Sequence, residues 1–501
     1  MKPATRRAYF EENTPGRDLH RRSLRGGAVA IVAQAGNLVI QVGSTIVLAR
    51  ILLPEDFGLV AMVTAVIGFA SIVVDLGTRD AVAQRGSVNE GEVSALFWIT
   101  LGVGLVLTAI TVVSAPLIAR FYDEPRLALI ATTLSVTFAL PALYFQQQAL
   151  MRRALLFRKL ALIDVGSNLV ATVFAIVLAK RGYGYWALVW KLVLTGLLTS
   201  VAVWISCGWR PKRPAFTAGV KELLGFGLNI TGFAISDYVS RSVDRVALGY
   251  TAGPRVVGYY QNAFLPYDNA LVVCSDSLHN VATVTLSKLR GDVPALKRAW
   301  STALSSLVYF VAPAFVTLAV TGQDLIVLLL GSNWEASGTI LSVLALRGVP
   351  HAVERTLGWL HVSAGRPDRW RRWGIFNCLA TIVALLCGLP FGALGVAAAY
   401  TAFMYLLFIP GIVYAGKPLG IGVLDAWKTV GPQVVAALGT AALGFLVRHT
   451  ILQDTAPLPR LVVLAIVCCA VYLATMSLGF RMTKPLSVAA SLVRTRVSGL
   501  A

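Results

Sequence analysis

The sequence predicts an all-α polytopic membrane protein of about 14 transmembrane helices, in two pseudo-repeated six-helix lobes followed by a C-terminal helix pair. Three observations predict it. Of 501 residues, 56% are hydrophobic and only 14% charged, against about 25% charged in a soluble domain. Apolar runs of about 20 residues, the length that crosses a bilayer, recur from end to end. The basic residues also alternate between the intervening loops. With the amino terminus inside, 31 of the 44 Lys and Arg lie in inside segments, 8 in outside loops and 5 within spans. That split follows the positive-inside rule and puts both termini in the cytoplasm. The net charge of +20 therefore reports topology and contact with anionic membrane lipid, not nucleic acid.

Residues 1–25 form a basic cytoplasmic arm carrying Lys2, Arg6, Arg7, Arg17, Arg21, Arg22 and Arg25. No short apolar stretch with a cleavage pattern occurs there, so the first helix is expected to direct insertion. The N-lobe, 26–208, holds helices near 26–49, 57–76, 94–119, 127–148, 160–179 and 184–206. A basic stretch at 209–222 reads as a cytoplasmic linker. The C-lobe, 223–416, holds helices near 223–249, 256–286, 299–321, 337–363, 373–388 and 392–415. Residues 417–501 add a pair near 430–447 and 461–479 and a cytoplasmic tail. The six cysteines show no paired or metal-type spacing, and most sit in apolar runs, so they read as small core residues.

A weak internal repeat relates the lobes. ARILLPEDFG at 49–58 and GYTAGPRVVG at 249–258 are offset by 200 and align Leu48 with Leu248, Pro54 with Pro254 and Gly58 with Gly258. Both join one helix end to the next helix start. Two six-helix halves of the same orientation are a transporter plan with the substrate site between them.

Polar residues cluster on a few helices. Asp237, Arg241, Asp244 and Arg245 share one face of the seventh. Arg347, His351, Glu354, Arg355 and Gly358 form a stripe on the tenth. Asp268 and Asp276 interrupt the eighth, Gln34, Asn37, Gln41 and Ser44 line the first, and Lys191 stands alone on the sixth. A charge at bilayer depth costs about 2.5–3.5 kcal/mol, so such groups either pair locally or line a wet cavity. Both readings are open. The cavity reading makes Arg241, Arg245, Arg347, Arg355 and Lys191 ligands for phosphate or carboxylate. It leaves Asp237, Asp244, Asp268, Asp276 and Glu354 to neutralise them or to couple a proton or sodium ion. Most of the Ser, Thr and Asn positions read as interhelical hydrogen-bond glue. Asp75 and Asp164, near helix ends, read as capping or interfacial.

No catalytic constellation emerges. P-loop, GxSxG and HExxH motifs are absent, the five histidines are scattered, and no cofactor is called for. The outside loops are too short for a catalytic domain, which argues against a membrane glycosyltransferase or polymerase. A multidrug exporter is the other alternative, one that calls for acids and aromatics without buried arginines.

ARILLPEDFGLVAM (49–62) with VDLGTRDAVAQR (74–85) resembles the amino-terminal region of bacterial polysaccharide flippases. These are the polysaccharide-transport branch of the multidrug/oligosaccharidyl-lipid/polysaccharide exporter superfamily. SVDRVALGYTAGPRVVGYY (242–260) is similar to their helix-seven signature, with its Gly hinge. GSNWEASGTILSVLAL (331–346) and AGRPDRW (364–370) resemble two further loops. The resemblance covers about residues 25–420. It implies a non-enzymatic flippase of the inner membrane that moves undecaprenyl-pyrophosphate-linked oligosaccharide outward by alternating access, for exopolysaccharide, capsule or lipopolysaccharide. Polymerase and chain-length proteins are the implied partners. Beside it, the residues nominate Arg241, Arg245, Arg347 and Arg355 for pyrophosphate and Gln34, Asn37 and Gln41 for sugar hydroxyls.

Overall fold

A computed structural model describes residues 9–10, 17–85, 87–215, 217–289, 292–363 and 366–482. Most of the basic arm and nearly all of the tail lie outside the described residues. What is described is helical, without a strand, and all fourteen predicted segments fall on helix. Among the described residues, ten stretches are long and apolar enough to cross a membrane by length and composition. One of these, Asp368–Leu419, covers two predicted helices. The charged segments 223–286 and 337–363 are not among the ten. The chain divides into two compact units, Met1–Gly258 and Tyr259–Ala501.

The first unit comprises α1 (Arg17–Ala49), α2 (Pro54–Asp75), α3 (Thr78–Gln84), α4 (Glu90–Tyr122), α5 (Arg126–Ala142), α6 (Phe145–Arg153), α7 (Phe157–Lys180) and α8 (Trp186–Ser206). The first arm of α9 (Ala218–Lys288) belongs to it too. Helix α4 packs on α5, α7 on α8, and α1 on α7. Residues 223–249 and 256–286 are two arms of one element, kinked at Gly253 with φ 78° and ψ 178°, a conformation essentially reserved for glycine.

The first arm of α9 lies antiparallel along α2, held close by glycines. A Cβ on Gly77 would strike the Gly227 backbone, and one on Gly227 would strike Leu76. Midway, Gly68 faces the Tyr238 ring, whose hydroxyl donates to the Thr64 carbonyl at 2.6 Å. At the far end the contact is reciprocal. A Cβ on Gly58 would fall on the Pro254 carbonyl, and one on Gly258 on the Pro54 carbonyl. Lipid offers no hydrophobic drive between helices, so close backbone approach of this kind carries their association.

The stretch read as a linker is fixed rather than free. Trp209 is buried, the Trp98 indole donates to the Lys212 carbonyl (3.0 Å), and Lys212 N donates to Ser94 Oγ (3.1 Å). Arg210 donates to the carbonyls of Trp204 and Cys207, which α8 leaves unpaired at its end.

The second unit begins with the other arm of α9 and continues with α10 (Val293–Leu330), α11 (Glu335–Leu346), α12 (Gly348–Ser363), α13 (Pro367–Gly388), α14 (Gly392–Gly416), α15 (Val423–Thr450) and α16 (Pro457–Ala474). Helix α10 is its spine, packing against α11, α12, α15 and α16. Asp324 of α10, almost wholly buried, accepts ion pairs from Arg448 of α15 and Arg460 of α16, each at 3.3 Å. Of the cysteines, Cys207 and Cys468 are buried as expected, whereas Cys387 and Cys469 are exposed on apolar helices.

The segment 337–363, expected as one helix, is two. Helix α11 stops at Leu346, Arg347 turns with φ −81° and ψ −3°, and α12 starts at Gly348. Pro350 is the physical reason, since it has no N–H for the Leu346 carbonyl and its ring crowds that oxygen. Gly348 fits against the Phe315 ring, where a Cβ would overlap it.

Candidate functional site

A break inside an apolar span frees backbone carbonyls that lipid cannot satisfy. Helix α14 supplies the donors. Tyr405 Oη lies 2.9 Å from the Leu346 carbonyl, and Thr401 Oγ1 lies 3.2 Å from the Val343 carbonyl and 2.8 Å from that of Ala397 in its own helix, so its one hydrogen is shared between those carbonyls. Spaced by four residues, Thr401 and Tyr405 share a helix face. The turn they support aims Arg347 into a box of rings. Its guanidinium carbon is 4.7 Å from the Tyr267 ring centre, 5.6 Å from that of Tyr400 and 5.7 Å from that of Phe264. Cation–π attraction of this kind strengthens where the cation is desolvated, and Arg347 is only 7% exposed.

Around the box the predicted tenth-helix residues do gather. His351 Nδ1 is 2.7 Å from the Tyr267 hydroxyl, and its ring stacks on that tyrosine. Glu354 accepts from Asn377 Nδ2 of α13 at 2.7 Å and interacts electrostatically with Arg347 and Arg355. Asp268, half-buried, lies close enough to Tyr267 for its charge to be felt there. The side chain of Asp276 lies outside the described residues.

The first unit holds a second polar region. On α1, Gln34 and Gln41 are exposed, Asn37 is half-buried and Ser44 buried. Asn168 Nδ2 of α7 donates to Asn37 Oδ1 at 3.2 Å, and Lys191 Nζ of α8 donates to Ser44 Oγ at 2.6 Å. Asn37 and Asn168 therefore lie at the joint of α1 with α7, and the Lys191 ammonium at that of α1 with α8. Asp244 is buried and meets Arg245 at 3.8 Å. The side chains of Asp237 and Arg241 lie outside the described residues, so the ion pairing expected there is not placed. Asp75 has the capping geometry expected of it, accepting from Arg79 N at 3.2 Å and pairing with the Arg79 side chain at 3.2 Å. Asp164 is exposed.

Sequence reasoning passed over Phe264, Tyr267, Tyr400, Thr401, Tyr405, Asn168 and Asn377. Pro350, within two residues of Gly348, was the signal for the break. The four-residue spacing of Thr401 and Tyr405 was the signal for what supports it. Among the described residues no group of His, Cys, Asp and Glu could hold a metal ion.

The described fold can be set beside known proteins. A family described as polysaccharide biosynthesis protein matches residues 47–338, more than half of the chain. The chain belongs to this family. The match takes in the Pro54–Gly58 and Pro254–Gly258 segments and stops before Arg347. The lipopolysaccharide biosynthesis protein WzxC of Escherichia coli (strain K12) is 25% identical over 439 residues, covering 84% of this chain and 87% of that protein. The succinoglycan biosynthesis transport protein ExoT of Rhizobium meliloti (strain 1021) is 22% identical over 431 residues, with 84% and 85% covered. The lipid II flippase MurJ, in an inward closed conformation, shares the fold with a TM-score of 0.72 at 15% identity, over 91% of this chain and 99% of that one. The family member described here is thus a multi-pass membrane protein whose helical fold is that of the lipid II flippase MurJ.

Proposed function

We propose that the protein is a flippase that moves lipid-linked oligosaccharide across the bacterial inner membrane, from a cytoplasmic to an outer face, by alternating access. The observation that carries the reading is the exposed amide face of α1. Gln34 and Gln41 stand open on a helix otherwise fit to cross a membrane. Lipid cannot satisfy an amide, so that face meets water or a polar ligand, and sugar hydroxyls match it. Family membership and the names of WzxC, ExoT and MurJ support the same reading.

The physical task is to carry a glycan and a pyrophosphate past hydrocarbon. The lipid tail stays in the bilayer while the polar head needs cations and hydrogen-bonding groups. Arg347 is the nominated pyrophosphate ligand, with Arg355 beside Glu354 as its neighbour, because a planar guanidinium binds phosphate oxygens by paired donors. In the described conformation rings cover Arg347, so binding there requires them to part. Arg241 and Arg245 are nominated with it. Asp237, Asp244, Asp268, Asp276 and Glu354 are the candidates for proton or sodium coupling, and a polymerase and a chain-length protein are the expected partners. Both termini are assigned to the cytoplasm on the loop charges.

The test is direct. The full chain is reconstituted in proteoliposomes with a fluorescent undecaprenyl-pyrophosphate oligosaccharide, and arrival at the opposite leaflet is followed by quenching. Protein-dependent flipping is the expected result. Flipping no faster than in empty vesicles, in the presence of either a proton or a sodium gradient, overturns the function.

A further inference from the structure

We infer that Tyr267 is a lid over the Arg347 site and His351 its latch, so that a diphosphate reaches the guanidinium only once the Tyr267–His351 bond opens. The inference rests on the nomination of Arg347 as diphosphate ligand and adds the regulation of that site.

Of the three rings around the guanidinium, that of Tyr267 lies closest, at 4.7 Å against 5.6 and 5.7 Å. Phe264 carries no polar group, and Tyr400 stands next to Thr401 on the helix that supports the break. Tyr267 is held by polar bonds on two sides. Its hydroxyl lies 2.7 Å from His351 Nδ1, and the two rings stack with 16° between their planes. The Arg347 side chain hydrogen-bonds to the same hydroxyl. A guanidinium only donates, so the phenol oxygen accepts from Arg347 and its single hydrogen goes to His351 Nδ1. Arg347, Tyr267 and His351 thus form one chain of hydrogen bonds. In it the phenol oxygen stands where a phosphate oxygen would accept from the guanidinium. Phe315 of α10 backs the ring edge-on at 5.3 Å, and Tyr267 is wholly buried.

Lid and cation both sit beside a weak point in the helix ladder. Tyr267 follows Pro266 in the second arm of α9, and Arg347 stands three positions before Pro350. Each proline removes one backbone N–H from its helix and crowds the turn before it. Prolines are where long helices bend sharply. The ring can therefore part from the guanidinium through a local change of angle, without unfolding of either helix. What resists that change is the bond to His351, since Phe315 offers the ring only an apolar contact.

The test is binding of farnesyl pyrophosphate, a diphosphate on a short isoprenoid, to the full chain in detergent, followed by calorimetry. A latch keeps the open state scarce, and apparent affinity scales with the open fraction. Tyr267→Phe keeps the ring and gives up the bond, and should tighten binding about fivefold, the contribution of one net hydrogen bond. His351→Leu removes the acceptor from the other side and should do the same, so the latch is read even where one variant folds poorly. The double variant should bind no tighter than either single one, because both break the same bond. His351→Asn, which keeps an acceptor where Nδ1 stands, should bind as the wild type does. Unchanged or weaker binding in both single variants overturns the inference, and so do additive gains in the double variant. Wild-type affinity in Arg347→Ala overturns it too, by taking the diphosphate away from Arg347. The flipping assay answers separately: a chain that shows these affinities but does not flip keeps the lid and loses the transport reading.

Discussion

The Tyr405 hydroxyl lies 2.9 Å from the carbonyl of Leu346 and donates to it, filling the place of the N–H that Pro350 lacks. Removing the hydroxyl leaves that carbonyl unpaired in an apolar span, where lipid offers no donor, at a cost of about 1–3 kcal/mol. Tyr405→Phe should therefore lower the melting temperature in detergent. Thr401→Val should lower it by less, because that hydroxyl also reaches the Ala397 carbonyl of its own helix, and the double variant should lose more than either alone. An unchanged melting temperature in the double variant would show that the break needs no support from α14.

Arg347 tests charge against shape. Arg347→Lys keeps a cation near Glu354 but gives up the guanidinium's place over the Tyr267 ring and the paired donors. Export should fall about tenfold with the melting temperature nearly unchanged, the size of loss one good charge-assisted hydrogen bond commands. If export survives and melting falls, the arginine serves the fold and not the ligand. Arg347→Ala with Glu354→Gln then becomes informative, because neutralising the acid should restore folded protein.

Asp324 holds two helices to α10 through Arg448 and Arg460. Asp324→Asn strands two cations, and breaking a buried pair costs about 3–5 kcal/mol. The amount of folded protein should drop sharply. Arg460 sits nearer the surface, at 20% side-chain exposure against 9% for Arg448, so Asp324→Leu should be rescued better by Arg448→Met than by Arg460→Met. The reverse order would place the energetic weight on the exposed partner.

Glycine positions divide cleanly. Gly58→Ala and Gly227→Ala place a methyl on facing backbone and should abolish or strongly reduce folded protein. At Gly166 a Cβ meets nothing within 4 Å, and Gly166→Ala in mid-helix should be neutral or stabilise by up to about 1 kcal/mol. Circular dichroism with thermal melts separates the two classes, and equal behaviour would count against the close approach of α2 and α9.

A pH effect is expected at the 123–126 turn. Hydrogen bonding from Arg126 holds the Glu124 carboxyl below its usual range, with burial opposing. A folded value below the unfolded one means stability that is present above the unfolded pKa and fades as pH falls through the folded one. Arg126→Ala should therefore narrow the difference in melting temperature between pH 7 and pH 3. No narrowing would mean that the pair, half open to solvent, contributes nothing.

The helices were legible because apolar length and loop charge are local properties of the chain. The polar residues of α1 and of 347–358 were legible for the same reason, since a charge in an apolar run is conspicuous. Their partners were not. That Lys191 meets Ser44, or that Asn37 meets Asn168, depends on which helices lie side by side, and periodicity within one helix does not say. The break at Arg347 was written in Gly348 and Pro350 but masked by apolar sequence on both sides. Arg448 and Arg460, by contrast, read as loop charges because they stand at helix ends, and only their common neighbour Asp324 shows them to be drawn into the fold.

Pro54–Gly58 and Pro254–Gly258 are more than matching positions in a repeat, because each packs on the other. Such a contact, in which one patch meets its own copy, is the isologous kind that two identical subunits make across a twofold axis. Here both copies lie on one polypeptide. The joint has the form expected if a half-length chain once paired with itself and the two genes later fused. It also ties the copies together in descent: a side chain gained at Gly58 must be answered at Pro254, and one gained at Gly258 at Pro54.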